Sequence, residues 1–233
     1  MSISEALAAV QERIRAAATQ AGRDSSEVRL IAVSKLQPAA AVREAYAAGQ
    51  RDFGENYVQE LVQKAEQLKD LTELRWHAIG HLQRNKVRHV VSLTELVHTV
   101  DSAELAGELE RRFKGARASN DARLSVLVEV SIADEQQKHG VAKSELSALL
   151  TAIEALPALR LCGLMCVPPL GESAEEARPY FDALRELRGQ HGGVQRLPEL
   201  SMGMTSDLEQ AVAAGATLVR VGTAIFGART ARA

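Results

Sequence analysis

Apolar residues recur at helical spacing over residues 3–21, with Ile3, Leu7, Val10 and Ile14 on one face. Ser4 is the expected N-cap and Gly22 the stop. A strand over 28–35 follows, apolar from Leu30 to Val33 before it closes on Ser34 and Lys35. From there the two patterns alternate. Strands are predicted at 51–55, 75–79, 96–100, 124–130, 160–167, 198–202 and 217–221. Helices are predicted between them at 39–48, 57–68, a basic stretch to about 91, 103–114, 144–155, 174–189 and 205–214. Strand–helix alternation requires crossover connections and a parallel sheet. Eight such units predict an α/β fold, a single (β/α)8 (TIM) barrel spanning 1–233. Only a short tail follows the last strand, so the N-terminal helix is expected to close the helical ring. An open doubly wound sheet is the alternative. It usually carries a glycine-rich turn after its first strand, and here that place holds SKLQP.

Composition narrows the class. Apolar residues make up 46% and charged residues 25% of the 233, as in globular proteins rather than disordered chains. A net charge of −2 gives no electrostatic reason to expect nucleic acid or an anionic membrane as a partner. No apolar run reaches membrane-spanning length and no leader pattern opens the sequence, so a cytoplasmic location is expected. The two cysteines, Cys162 and Cys166, would lie about 13 Å apart on one strand. A disulfide needs roughly 7 Å or less, so both are expected as free thiols.

In a parallel barrel, the ends of all strands meet on one face, and that face carries the chemistry. Lys35 stands there, at the tip of an apolar strand. Lys64, Lys69, Lys86, Lys114, Lys138 and Lys143 fall instead on helices or loops. A lysine amine forms a Schiff base with an aldehyde once its surroundings favour the free amine. The plainer reading is a surface lysine ending a strand. Two loops add a second signal. SMGMTSD (201–207) and RVGTAIFG (220–227) follow the last two strands, and phosphate binding by those loops recurs in barrels. Ser201, Thr205, Ser206, Gly222 and Thr223 supply hydroxyls and uncovered backbone N–H groups. Helix capping by Thr205 or Ser206 is the competing account of one loop alone. Arg220 is open between a structural ion pair and a ligand contact. His77 is open between the ligand pocket and the core. His77 and His81 lack the intervening glutamate of a zinc-protease motif, so no metal is expected.

The residues AVSK (32–35), FGENYVQE (53–60), WHAIGHLQRNK (76–86), EQQKHGV (135–141), GLM (163–165) and SMGMTSDLEQAVAAGATLVRVGTAIFG (201–227) carry a resemblance over nearly the whole chain. The sequence resembles the pyridoxal phosphate homeostasis protein family, single-domain relatives of the alanine racemase barrel. Three positions depart from the usual pattern: Leu36, where threonine is common; Ala78, where a larger apolar residue is usual; and Thr205, in place of serine. The resemblance implies pyridoxal 5′-phosphate held as an aldimine at Lys35. It implies a phosphate site of Ser201, Thr205, Ser206, Gly222 and Thr223, with Arg220 near the pyridine nitrogen and Asn56 and His77 along the ring.

An arginine can only donate to the pyridine nitrogen, which keeps that nitrogen unprotonated and weakens the cofactor as an electron sink. Racemisation also needs acid/base groups on both faces of the substrate. In alanine racemases a tyrosine of an added C-terminal domain serves the second face, and this sequence carries no such added domain. The expected role is therefore non-catalytic: a monomer that buffers the cofactor or delivers it to pyridoxal phosphate-dependent apoenzymes. A weak amino-acid racemase is the alternative, with His77 or a partner chain as the second group.

Overall fold

The computed structural model describes residues 1–116, 119, 121–133, 139–169 and 173–227. Its eight strands are β1 (Arg29–Val33), β2 (Asp52–Glu55), β3 (Arg75–Ala78), β4 (Thr94–Val100), β5 (Leu124–Glu129), β6 (Leu159–Met165), β7 (Glu199–Ser201) and β8 (Leu218–Val221). They run parallel in sequence order and close, β8 pairing with β1 through Arg29–Leu218 to Ala32–Val221. The helices α1 (Ile3–Gln20), α2 (Ala39–Ala47), α3 (Val58–Gln67), α4 (Ala103–Ala116), α5 (Leu146–Glu154), α6 (Arg178–Gln190), α7 (Gly193–Arg196), α8 (Leu208–Ala213) and α9 (Thr223–Phe226) surround them. The predicted (β/α)8 architecture is thus present.

The N-terminal helix fills the gap in the ring, packing against α2, α8 and α9. Its buried stripe is Ala6, Leu7, Val10, Ile14, Ala17 and Ala18, at the predicted spacing. The cap is Ser2 rather than Ser4. Ser2 Oγ accepts from the Glu5 N–H while a Glu5 carboxylate oxygen accepts from the Ser2 N–H. Such a reciprocal box satisfies two otherwise orphaned donors, and its hydroxyl contributes about 1 kcal/mol. Between β3 and β4 the basic stretch forms only a short 3-10 segment, Arg84–His89. It has room to bury Val87 but not a full amphipathic face.

Two apolar compartments result. The larger lies between the sheet and the helices. The smaller, Ile31, Leu96, Leu127, Met165 and Leu218, fills the barrel interior. Residues two apart on a strand face the same way. Above and below that apolar plug, the same inward positions are therefore taken by polar residues, including His77, His98, Glu129, Ser201 and Arg220.

Candidate functional site

β1 ends at Val33, so Lys35 sits two residues beyond the strand, half-buried, in a tight turn. The turn is held from beneath by a lysine that the sequence reading treated as an ordinary helical one. Lys64 on α3 is 5% exposed. Its Nζ donates to Ser34 O at 2.6 Å, to Glu55 Oε1 at 2.6 Å and to Glu60 Oε2 at 3.2 Å. Ser34 Oγ donates to the same Glu55 oxygen at 2.7 Å, and the Leu36 N–H donates to Glu60 Oε2 at 2.7 Å. Burial raises the Glu55 pKa, against the pull of Lys64 and Ser34. Leu36 adopts φ +62°, a left-handed conformation unfavourable to an L side chain. The carboxylates and Lys64 thus hold the backbone on both sides of Lys35 in a conformation that the local sequence alone would not favour.

A cavity of about 390 Å³ opens at this point, at the C-terminal mouth of the barrel. Seven of the nine sequence-predicted residues line it: Lys35, Asn56, Thr205, Ser206, Arg220, Gly222 and Thr223. Val33, Ile79, Met165 and Met204 add apolar wall. Thr223 Oγ1 donates to Thr205 Oγ1 at 3.1 Å, joining the two last loops. A Cβ on Gly222 would come within 3.0 Å of Val33 O, so glycine lets the β8 loop close on the end of β1. Asp207, buried, takes the Met204 N–H on Oδ1 and caps no helix with its side chain, while Thr205 and Ser206 lie in the turn before it. Helix capping is therefore not what these hydroxyls do.

Ser201 and His77 do not reach the cavity. Both are fully buried, and they belong to a hydrogen-bonded column behind Arg220. Arg220 donates through Nη1 to Ser201 Oγ at 2.6 Å and through Nη2 to Cys166 O at 3.0 Å. Ser201 Oγ meets His98 Nδ1 at 2.9 Å, His98 Nε2 meets His77 Nδ1 at 3.0 Å, and His77 Nε2 meets Asp52 Oδ1 at 2.9 Å. Arg75 closes the far end with two bonds to Asp52, at 2.7 and 2.9 Å. One proton arrangement satisfies every link. Ionised Asp52 only accepts, so His77 carries its proton on Nε2 and accepts at Nδ1. His98 then donates from Nε2, accepts at Nδ1 from the Ser201 hydroxyl, and leaves Ser201 Oγ a lone pair for Arg220. Burial holds both imidazoles below their ordinary pKa, His98 further because His77 and Arg220 add like charge. Burial alone would raise the Asp52 pKa, but Arg75 and His77 hold it below the usual carboxylate range.

The column decides what Arg220 can do. Two of its N–H groups are spent on Ser201 and Cys166, and the guanidinium stays a pure donor toward the cavity. Burial draws its pKa down from the ordinary value, while Cys166, Glu129 and Asp207 push it back up. Cys166 is pushed up to about 12 by burial, so its thiol is no nucleophile at neutral pH. His98 and Asp52 were missed by the sequence reading. The available signal was His98 inside the apolar strand TELVHTV, a polar residue at an inward position. Lys138 lies outside the described residues.

The sequence matches the family model described as alanine racemase, N-terminal domain, over residues 6–230. It is 48% identical over 229 residues to the pyridoxal phosphate homeostasis protein of Pseudomonas aeruginosa, covering 98% of this chain and 96% of that one. It is 45% identical over 233 residues to the protein of that name from Escherichia coli K12, with 97% of each covered. The chain belongs to the pyridoxal phosphate homeostasis protein family. Among solved structures, PipY of Synechococcus elongatus with PLP bound superposes on it with a TM-score of 0.80 at 41% identity, covering 97% of this chain and all of that one. Alanine racemase of Corynebacterium glutamicum shares the fold, with a TM-score of 0.69 at 18% identity over 95% of this chain and 62% of that one.

Proposed function

We propose that this protein binds pyridoxal 5′-phosphate through a C=N linkage to Lys35 and serves to buffer the cofactor and deliver it to apoenzymes. The reading is supported above all by one observation. Lys35, the Arg220 guanidinium and the hydroxyls of Thr205, Ser206 and Thr223 open into one cavity of about 390 Å³. The residues fit the group. The loops after β7 and β8 offer neutral donors to a phosphate, Gly222 leaves space that a Cβ would crowd, and the apolar wall suits a pyridine ring. When bound, the cofactor supplies an aldehyde and, with its ring nitrogen protonated, an electron sink. Arg220, anchored as a donor, disfavours that protonation. His77 was the candidate for a second acid/base group, and both of its ring nitrogens are engaged below the cavity. Both points support a carrier over a racemase. A single barrel acting as a cytoplasmic monomer is part of the same proposal.

The test is intact mass of protein loaded with pyridoxal 5′-phosphate, before and after borohydride. The expected result is one reduced adduct on Lys35, lost in Lys35→Ala. An adduct that maps to Lys138 or any other lysine removes the assignment. Incubation with L-alanine in deuterated buffer separates the two roles: deuterium at Cα with many turnovers would overturn the carrier reading.

A further inference from the structure

A second cavity, about 310 Å³, adjoins the first and shares Asn56, Ile79, Met165 and Val167 with it. Its distinctive group is Glu129, which no part of the cofactor reading uses. β5 turns Leu127 into the barrel plug, so Glu129, two residues on, faces the mouth. Glu129 is 8% exposed, and its Oε2 is enclosed without a hydrogen-bond partner among the described residues. The other buried glutamates are engaged: Glu55 with Lys64 and Ser34 through one oxygen, and Glu110 with the Ala158 N–H through one oxygen and Lys114 through the other. A carboxylate buried beside an open cavity with an idle oxygen is costly, and a cation or a donor placed in the cavity relieves that cost.

We propose that this second cavity is a subsite for a small primary amine, whose ammonium group Glu129 binds and deprotonates. The proposal rests on the Lys35 reading and deepens it by naming what displaces the cofactor. The ammonium gives one proton to the Glu129 carboxylate. The free amine then adds to the carbon of the C=N linkage, its two N–H protons pass to Lys35 Nζ, the bond from that carbon to Nζ breaks, and Lys35 leaves as a neutral amine while Glu129 returns its proton to solvent. One C=N bond forms and one breaks, with no oxidant and no net water. Burial sets Glu129 up for this exchange by raising its pKa to about 7, with Asp101 adding to the rise and Arg220 opposing it. Titratable groups that surround it are Arg220 on β8, Cys166 after β6, Asp101 after β4, and the stacked imidazoles of His81 and His139, their centroids 3.7 Å apart, on the cavity wall.

Two measurements test this. In the first, cofactor-free protein labelled with 13C at the glutamate carboxyls is titrated with ethylammonium chloride, with ethanol as the neutral control. The Glu129 resonance is expected to move with the ammonium and not with ethanol. In the second, loaded protein is mixed with L-alanine and loss of the borohydride-trappable Lys35 adduct is timed across pH. The rate is expected to rise through about pH 7 in the wild type. In Glu129→Gln and Glu129→Leu it should fall at least tenfold and lose that inflection, with the initial Lys35 adduct intact. Equal rates and profiles in wild type and variants, or a Glu129 resonance indifferent to ethylammonium, overturn the amine subsite while leaving the cofactor reading standing. Absence of any Lys35 adduct in the wild type removes both.

Discussion

Lys64→Met removes a charge that never enters the cavity, yet it should affect the site strongly. Lys64 is 5% exposed, and its ammonium is shared by Glu55, Glu60 and the Ser34 carbonyl. Breaking one partner out of a buried ion pair costs about 3–5 kcal/mol, because the remaining charge is left uncompensated. Here that charge is on Glu55, whose side chain has no exposure. At about 2–4 °C per kcal/mol for a chain of this size, the melting temperature should fall by about 10 °C. The pH dependence has a definite sign. Burial raises the folded-state pKa of Glu55, so the folded protein holds that proton more tightly than the unfolded chain. Its contribution to stability is therefore greatest below the ordinary glutamate pKa and declines as pH rises towards the folded value. Loss of Lys64 raises that folded value further, so the deficit should be larger at pH 8 than at pH 5. Glu55→Gln combined with Lys64→Met should recover much of the loss, since no buried charge then remains on Glu55. Calorimetric melting at both pH values supplies the data, with the fraction of trappable Lys35 adduct reporting on the turn. A loss below about 1 kcal/mol, or one equal at the two pH values, would refute the idea that this charge network holds the Lys35 turn.

The column behind Arg220 and the loops around the cavity give further tests. His98→Ala leaves the Ser201 hydroxyl proton and His77 Nδ1 buried without their partner, at about 1–3 kcal/mol apiece, and should lower the melting temperature by several degrees. It should weaken pyridoxal 5′-phosphate and dephosphorylated pyridoxal alike, and selective loss of the phosphorylated form would contradict a role through Arg220. Thr205→Ala with Ser206→Ala should do the reverse, weakening the phosphorylated ligand far more; equal weakening in equilibrium titrations would argue against a phosphate cradle. Leu36→Gly relieves about 1–2 kcal/mol of left-handed strain and adds about 0.5–1 kcal/mol of chain entropy cost, for a net gain of at most about 1.5 kcal/mol in denaturant unfolding. A loss of more than 1 kcal/mol there would mean that the Leu36 side chain, 38% exposed, packs in a way its exposure hides.

Periodicity along the chain was enough for the barrel, because the strands and most of the helices between them announce themselves by local apolar spacing and the parallel order follows from alternation. It was enough also for the cavity wall after β1, β7 and β8, since a strand end in a barrel has only one face to reach. One miss was local, and the others came from distance along the chain. Ser4 lost the cap to Ser2, because only Ser2 stands three residues before a glutamate that can answer it. His77 and Ser201 are at inward positions, as chemistry-bearing residues should be, but depth along the barrel axis is set by strand stagger. That stagger comes from pairing with neighbouring strands and has no signature in either strand alone. It places them beneath Arg220 rather than beside Lys35, and it brings His98 between them across 21 residues on one side and 103 on the other. Lys64 reads as a helical lysine until α3 packs on β2 and β3 and its amine meets Ser34 thirty residues away. Spacing, in short, reveals which residues face inward; closure of the sheet alone fixes which of them meet, because hydrogen bonds of about 3 Å depend on register between segments that are remote in sequence.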